Sequence, residues 1–506
     1  MDSAKSLAGR SRTREKSRRV VRLSVLAIGL AFSPWLSGCT SEDWSIGRLV
    51  SAMTGDSFSL SADDRRELAR FDSAFAQSAN EGAPDEWRQH FVDAYARVRA
   101  EYVRDVPASR LIDAALDGMR AARPENGAVP PEDLAEAALD AMVGSLDPHT
   151  VYLNVAEFRE LRVSTTGEFG GLGIEVTLED GGVKVIAPIE DTPAYRAGLK
   201  SGDLITHLDA ESVVGLSLMQ AVMRMRGKPG TDIRLTVQRT KFPPFKVTIT
   251  RAIISVQSVR WRLYDDIAVI RVASFTEKVE AGLYESIDAI RAELGPRLRA
   301  VVLDLRNNPG GLLDQSVELA DAFLDSGTIV SIRSKGGASE RFYSARYGDV
   351  ARDVAMVVLI NIGSASASEI VAGALQDNGR ATVMGVRSFG KGTVQTIMPL
   401  SLEGAIRITT ALYYAPSGRA IQARGVNPDI AFAVSGDAPM RREADIPGAL
   451  SAQEQLGEEP RAAAPVVDES DCPLIDDGED RQLGCALALL RAGSRAEFLA
   501  SMGEKL

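Results

Sequence analysis

Asn361-Ile362-Gly363-Ser364-Ala365-Ser366-Ala367-Ser368-Glu369-Ile370 is the stretch on which the reading of this 506-residue chain turns. Ahead of it, Val354 to Ile360 is a short apolar run of the kind that forms a buried strand. Behind it, Ile370, Val371, Ala374 and Leu375 share one face at helical spacing, and Asp377-Asn378-Gly379 supplies a stop. Strand, tight turn of small residues, helix: this order lifts a serine to the mouth of a sheet with its hydroxyl exposed. It also aims the free N–H groups of the first helical turn at whatever that serine attacks. Ser366-x-x-Glu369 is equally a capping box, and from this stretch alone both readings stand.

Downstream, Phe389-Gly390-Lys391-Gly392-Thr393-Val394-Gln395 sets a lysine between two glycines in a segment that alternates like a strand. Side chains two apart on a strand share a face, so Lys391, Thr393 and Gln395 point the same way. The apolar continuation at Ile397 and Met398, with no acidic neighbour, suits a partly buried lysine as well as a solvated one.

Together these two stretches resemble the C-terminal processing peptidases, also called tail-specific proteases. Asp304-Leu305-Arg306-Asn307-Asn308-Pro309-Gly310-Gly311, Leu146-Asp147-Pro148-His149-Thr150 and Tyr414-Ala415-Pro416-Ser417-Gly418-Arg419 match that family too, and the resemblance runs from about Trp87 to about Ala433. It implies a serine peptidase with Ser366 as nucleophile and Lys391 as general base. A lysine near its usual pKa of about 10.4 is protonated at neutral pH and accepts no proton; burial lowers that value. Gln395 would hold the amine without adding a counter-charge. The oxyanion donors would be the Ala367 N–H and a backbone N–H of the Gly310-Gly311 turn, Gly311 by preference. The competing mechanism is a Ser-His-Asp triad based on His149, and the competing class is an inactive adaptor that presents peptide tails.

Residues 166–252 resemble a PDZ domain. Phe169-Gly170-Gly171-Leu172-Gly173-Ile174 would turn backbone N–H groups around a terminal carboxylate while an extended peptide adds as a strand. A nucleotide loop is excluded because the glycines enter a strand and not a helix. The substrates implied are proteins or peptides with free C-termini.

The rest of the chain frames these units. Residues 1–38 read as a lipoprotein-type signal: a run of Lys and Arg, an apolar stretch from Leu23 to Phe32 too short to span a bilayer, and Leu36-Ser37-Gly38-Cys39 at its end. Lipidation at Cys39 would explain an odd total of three cysteines, leaving Cys472 and Cys485 to pair in an oxidising periplasm. The formal charge of −11, more negative still once the basic leader is removed, excludes a nucleic-acid footprint. It leaves the N-terminal lipid as the membrane anchor.

Three scattered histidines, His90, His149 and His207, offer no metal-ligand spacing, and no cofactor is expected. Residues 39–84 read as a tether with some helix, 85–165 as a helical region and 253–435 as the peptidase core. Residues 436–470 read as a flexible linker and 471–506 as a C-terminal helical segment. In the core, uniform apolar strands such as Val301 to Leu305 alternate with helical stretches such as 313–324, which predicts a central, mostly parallel sheet. The expected fold class is thus α+β and multidomain: a helical N-terminal segment, a PDZ domain and an α/β core. Partners beyond substrate and membrane would be a second copy of the chain or an adaptor protein.

Overall fold

The computed structural model describes residues 60–503 apart from 79–84, 124–128, 180, 190, 217, 256, 336–339, 403, 434–440, 452–462 and 476–479. The leader and Cys39 lie outside the described residues.

Four helices, Ala62–Ser78, Asp85–Glu101, Ala108–Ala121 and Pro131–Gly144, pack through apolar stripes at helical spacing. Phe91, Tyr95 and Val98 of the second are buried, and Phe71 of the first stacks on Phe91 with ring centroids 3.7 Å apart. That first helix corrects the tether assigned to 39–84: Leu68, Phe71 and Phe75 are buried, so residues 62–78 belong to the helical region. The region also reaches into the core. Val151–Leu153 pairs antiparallel with Ala405–Tyr414, and Ile406, Ile408 and Leu412 of that strand share the helices' core.

The PDZ unit has its own core, built from residues such as Val183, Ile205, Leu235 and Val237. Its sheet begins at Ile174–Glu179, an edge strand paired on one side only, and ends at Phe245–Thr250. The expected opening strand is separate: Glu168–Gly171 pairs with Ala252–Ser255 in a two-stranded ribbon where the chain enters and leaves the unit.

In the peptidase core a seven-stranded sheet runs in the order Val259–Tyr264, Ile267–Val272, Ala300–Asp304, Ala355–Ile360, Thr382–Gly385, Ile430–Phe432 and Val466–Val467. Only the first pair is antiparallel. The central strands are apolar throughout because both faces are covered. Val301 and Leu303 face one core with Val358 and Ile360. Ala300 and Val302 face another, with Val357, Leu359 and the C-terminal helices Arg481–Ala492 and Arg495–Gly503. Cys472 and Cys485 form a disulfide inside this second core. The flexible linker expected at 436–470 needs correction in its described parts. A 3-10 turn at Glu443–Asp445 packs on the core, and Val466–Val467 completes the sheet edge.

Candidate active site

Ser366 sits where the buried strand Ala355–Ile360 hands over to the helix Ala367–Asp377. Its backbone is at φ 56° and ψ −114°, a sparsely populated region for a residue with a side chain, costing about 1–3 kcal/mol. Glu369 returns a carboxylate oxygen to the Ser366 N–H at 2.8 Å, the reciprocal half of a capping box. The nearby Tyr413 phenol is buried and donates to the Lys391 carbonyl.

Glu369 brings the serine and the lysine together. The same oxygen that accepts from Ser366 N–H also accepts from Lys391 N–H at 2.9 Å. The other oxygen takes the Ser388 hydroxyl at 2.5 Å and Gly390 N–H at 2.7 Å. This carboxylate is wholly buried with no cation against it; burial pushes it up to about 7, against the pull of those four donated hydrogen bonds. Sequence reading saw Glu369 only as half of a capping box. The available signal was a glutamate on a helix whose other positions from Ala367 to Leu375 are small or apolar.

Lys391 is half-buried, and its amine makes no hydrogen bond or ion pair among the described residues. Burial holds it below the ordinary lysine range, and repulsion from Arg407 adds to this. Glu443, Asp147 and Glu369 pull weakly the other way. Gln395 follows on the strand Thr393–Pro399, past an irregularity in its pairing with Ala405–Tyr414. Its amide nitrogen donates to Thr393 Oγ1 at 2.8 Å and Thr409 Oγ1 at 3.4 Å. The contact between Gln395 and the amine expected from sequence is absent in this state; the amide is bound to threonines.

The glycine turn is sewn to the serine turn. Asn308 O accepts from Ala365 N–H at 3.0 Å and from the Ser368 hydroxyl at 2.9 Å, and Ser364 donates to Leu305 O at 2.8 Å. A Cβ on Gly310 would meet Ser366 Cβ at 2.8 Å, and one on Gly311 would meet the Phe275 carbonyl oxygen at 2.1 Å. Only glycine fits either place. Gly310 N–H is spent on Asn308 Oδ1 at 2.9 Å. The N–H groups of Gly311 and Ala367 have no partner among the described residues.

His149 points elsewhere. Its Nε2 lies 2.9 Å from both Glu443 oxygens, and Asp147 accepts from its backbone N–H. In the PDZ unit the Leu172 and Gly173 carbonyls are taken by Ala194 and Ile189 N–H at 2.9 Å each. Gly170 O accepts from Gly227 N–H at 3.0 Å. The Arg226 guanidinium lies 4.4 Å over the Phe169 ring and pairs with Glu160. Phe169, Gly170, Gly171, Leu172, Gly173 and Ile174 thus lead from the two-stranded ribbon into the edge strand of the PDZ sheet.

The family model described as peptidase family S41 matches residues 266–432, and that of the PDZ domain matches residues 170–243. A carboxy-terminal-processing protease of Bartonella bacilliformis is 46% identical over 67% of this chain and 74% of its own. A probable CtpA-like serine protease of Staphylococcus haemolyticus is 36% identical over 59% of this chain and 60% of its own. Among solved structures, a photosystem II D1 C-terminal processing protease is 27% identical, with a TM-score of 0.43, over 68% of this chain and 92% of that one. With 46% identity over an alignment that covers 74% of the Bartonella protein, this chain belongs to peptidase family S41 as a serine-type peptidase of the carboxy-terminal-processing group, with a PDZ domain ahead of its core.

Proposed function

We propose that this peptidase works by a Ser366–Lys391 dyad on proteins whose free C-termini its PDZ domain captures. The observation that carries the proposal is that the backbones of Ser366 and Lys391 meet on one oxygen of a buried glutamate, with the lysine amine left unpaired. A neutral Lys391 amine takes the Ser366 proton as the hydroxyl attacks the scissile carbonyl. The developing oxyanion is received by the unpaired N–H groups of Ala367, at a helix start, and Gly311. The lysine then gives its proton to the leaving amine, and water repeats the cycle on the acyl-enzyme. Gln395 must first leave its threonines to orient the amine.

Peptide capture is supported by the unpaired edge of Ile174–Glu179, which can take another strand. The chain is placed in the bacterial periplasm, anchored as a lipoprotein through Cys39. Two things support this: the basic, apolar and lipobox-like order of residues 1–39, and a disulfide that suits an oxidising compartment. A homo-oligomer or an adaptor is the expected assembly.

Cleavage of an unstructured peptide tests the reading. Ser366→Ala and Lys391→Ala should each lower turnover by about 10⁴-fold or more while leaving the peptide's affinity intact. Lys391→Arg should be as inactive, since a guanidinium stays protonated. Amidating the peptide's C-terminus should raise KM. Near-native turnover in Lys391→Ala would sink the dyad, and no turnover in the native chain would favour the adaptor. A Cys39→Ser chain that still fractionates with membranes would sink the anchor.

A further inference from the structure

Two pieces of the chain that the mechanism leaves unused meet behind the lysine. One is the Leu146-Asp147-Pro148-His149-Thr150 motif; the other is the turn at Glu443–Asp445. The Glu443 side chain is wholly buried, and it accepts from His149 Nε2 and, at 3.0 Å, from Gln422 Nε2. Burial alone would raise this carboxyl, but the bonds from His149 and Gln422 outweigh it and hold it below its ordinary value. Gln422 in turn accepts the Gly392 N–H at 2.8 Å. The turn also grips the loop from its other end. Glu443 N–H donates to Phe389 O at 3.2 Å, and Arg442 reaches the carbonyls of Arg387 and Ser388 at 3.3 and 3.4 Å.

The loop so held is the one that carries Lys391, and it has little stiffness of its own. Gly390 has φ 99°, and Gly392 lies so close to the Gln422 backbone that a Cβ would meet its nitrogen at 2.3 Å. The Lys391 amine has no partner to fix it, so its direction depends on the backbone beneath. A buried carboxylate is a costly way to pin a loop where apolar packing would serve stability as well or better. Its yield is a directional hold, one that reaches the loop through a single side chain.

We propose that Glu443, oriented by His149, is a positioning residue for Lys391, acting through Gln422 on the Gly392 N–H. This rests on the dyad reading above. The test uses the full chain and an internally quenched, unstructured peptide with a free C-terminal carboxylate, with Lys391→Ala run alongside. His149→Ala should lower kcat about tenfold to a hundredfold, the scale of a slightly misplaced catalytic group, with KM unchanged. Glu443→Gln should fall in the same direction. His149→Gln, whose amide nitrogen can donate where Nε2 does, should recover most of the loss. A brace serving stability alone would shift the melting temperature without this split between kcat and KM. If Glu443→Gln fails to fold, the His149 pair decides. His149→Ala with kcat within about twofold of native, or a loss that His149→Gln leaves in full, would overturn the inference. Near-native turnover in Lys391→Ala would instead overturn the dyad.

Discussion

Two buried carboxylates near the ends of the parallel strands are treated in opposite ways. Asp304 is surrounded by cations: Arg271 at 2.9 Å, and Arg306 through three donors at 2.8 to 3.0 Å. Arg306 continues to Asp480 at 2.7 Å, tying the C-terminal helix to the strand end. Burial alone would lower this guanidinium, but Asp480 and Asp304 hold it well above its ordinary range. Glu369 has no cation, only neutral donors, and the nearby lysine is left without a counter-ion. Pairing charges secures a joint; withholding the pair keeps an amine able to accept a proton. Had Glu369 reached the Lys391 amine in place of its backbone N–H, the amine would be locked in its charged form.

Breaking the neutral arrangement should have the largest effect. In Glu369→Gln, the new amide would set its own N–H groups against donors it cannot accept, separating the turns of Ser366 and Lys391. Turnover should fall by about a hundredfold or more, and stability by about 2–4 kcal/mol. Equal kcat in the two proteins would show that the shared carboxylate does not set the geometry. A native carboxyl raised to about 7 binds its proton more tightly folded than unfolded. Its contribution to stability is therefore full at low pH and is lost as pH rises through that value. Glu369→Gln should flatten that part of the stability profile.

Breaking the paired arrangement should act on stability alone. Asp304→Asn leaves two guanidinium groups short of a partner and should cost about 3 kcal/mol in denaturant unfolding. The acid limb of the turnover profile should stay where it is, and a displaced limb would mean the two regions are not separate. The smallest effect sharpens the contrast. Arg407 has a buried Nε without a partner and repels Lys391. Arg407→Met removes a like charge, so the lysine should hold its proton to higher pH. The acid limb should move up and turnover at neutral pH should drop a few-fold, with the alkaline plateau unchanged. A limb that moves down would contradict this sign.

What could be read from the residues in order was whatever a strand or a helical turn reports about its own neighbours. Val301 to Leu303 and Val357 to Ile360 are apolar at every position, which is the mark of a strand covered on both faces. Small residues into Ser366 and an apolar stripe after it marked the strand, turn and helix. The glycines of the 304–311 motif marked a tight turn. The paired Cys472 and Cys485 were legible by counting. Helix 62–78 was legible too, in Leu68, Phe71 and Phe75, but was obscured by its polar remainder.

Only the tertiary structure decided what Glu369 and Glu443 do. Local pattern made the first a cap and said nothing of the second, which lay in a stretch whose Ala, Glu, Pro and Gly content suggested a linker. Glu369 meets Ser388, Gly390 and Lys391 across 19 to 22 residues, and Glu443 meets His149 across 294. Periodicity carries no information at such separations. Chain closure is what brings these groups together, and burial away from water then makes each hydrogen bond count. The sequence by itself determined the turn of Ser366, the lysine between glycines and the layered core; the fold alone decided which carboxylate accepts the lysine's backbone N–H and leaves its amine unpaired.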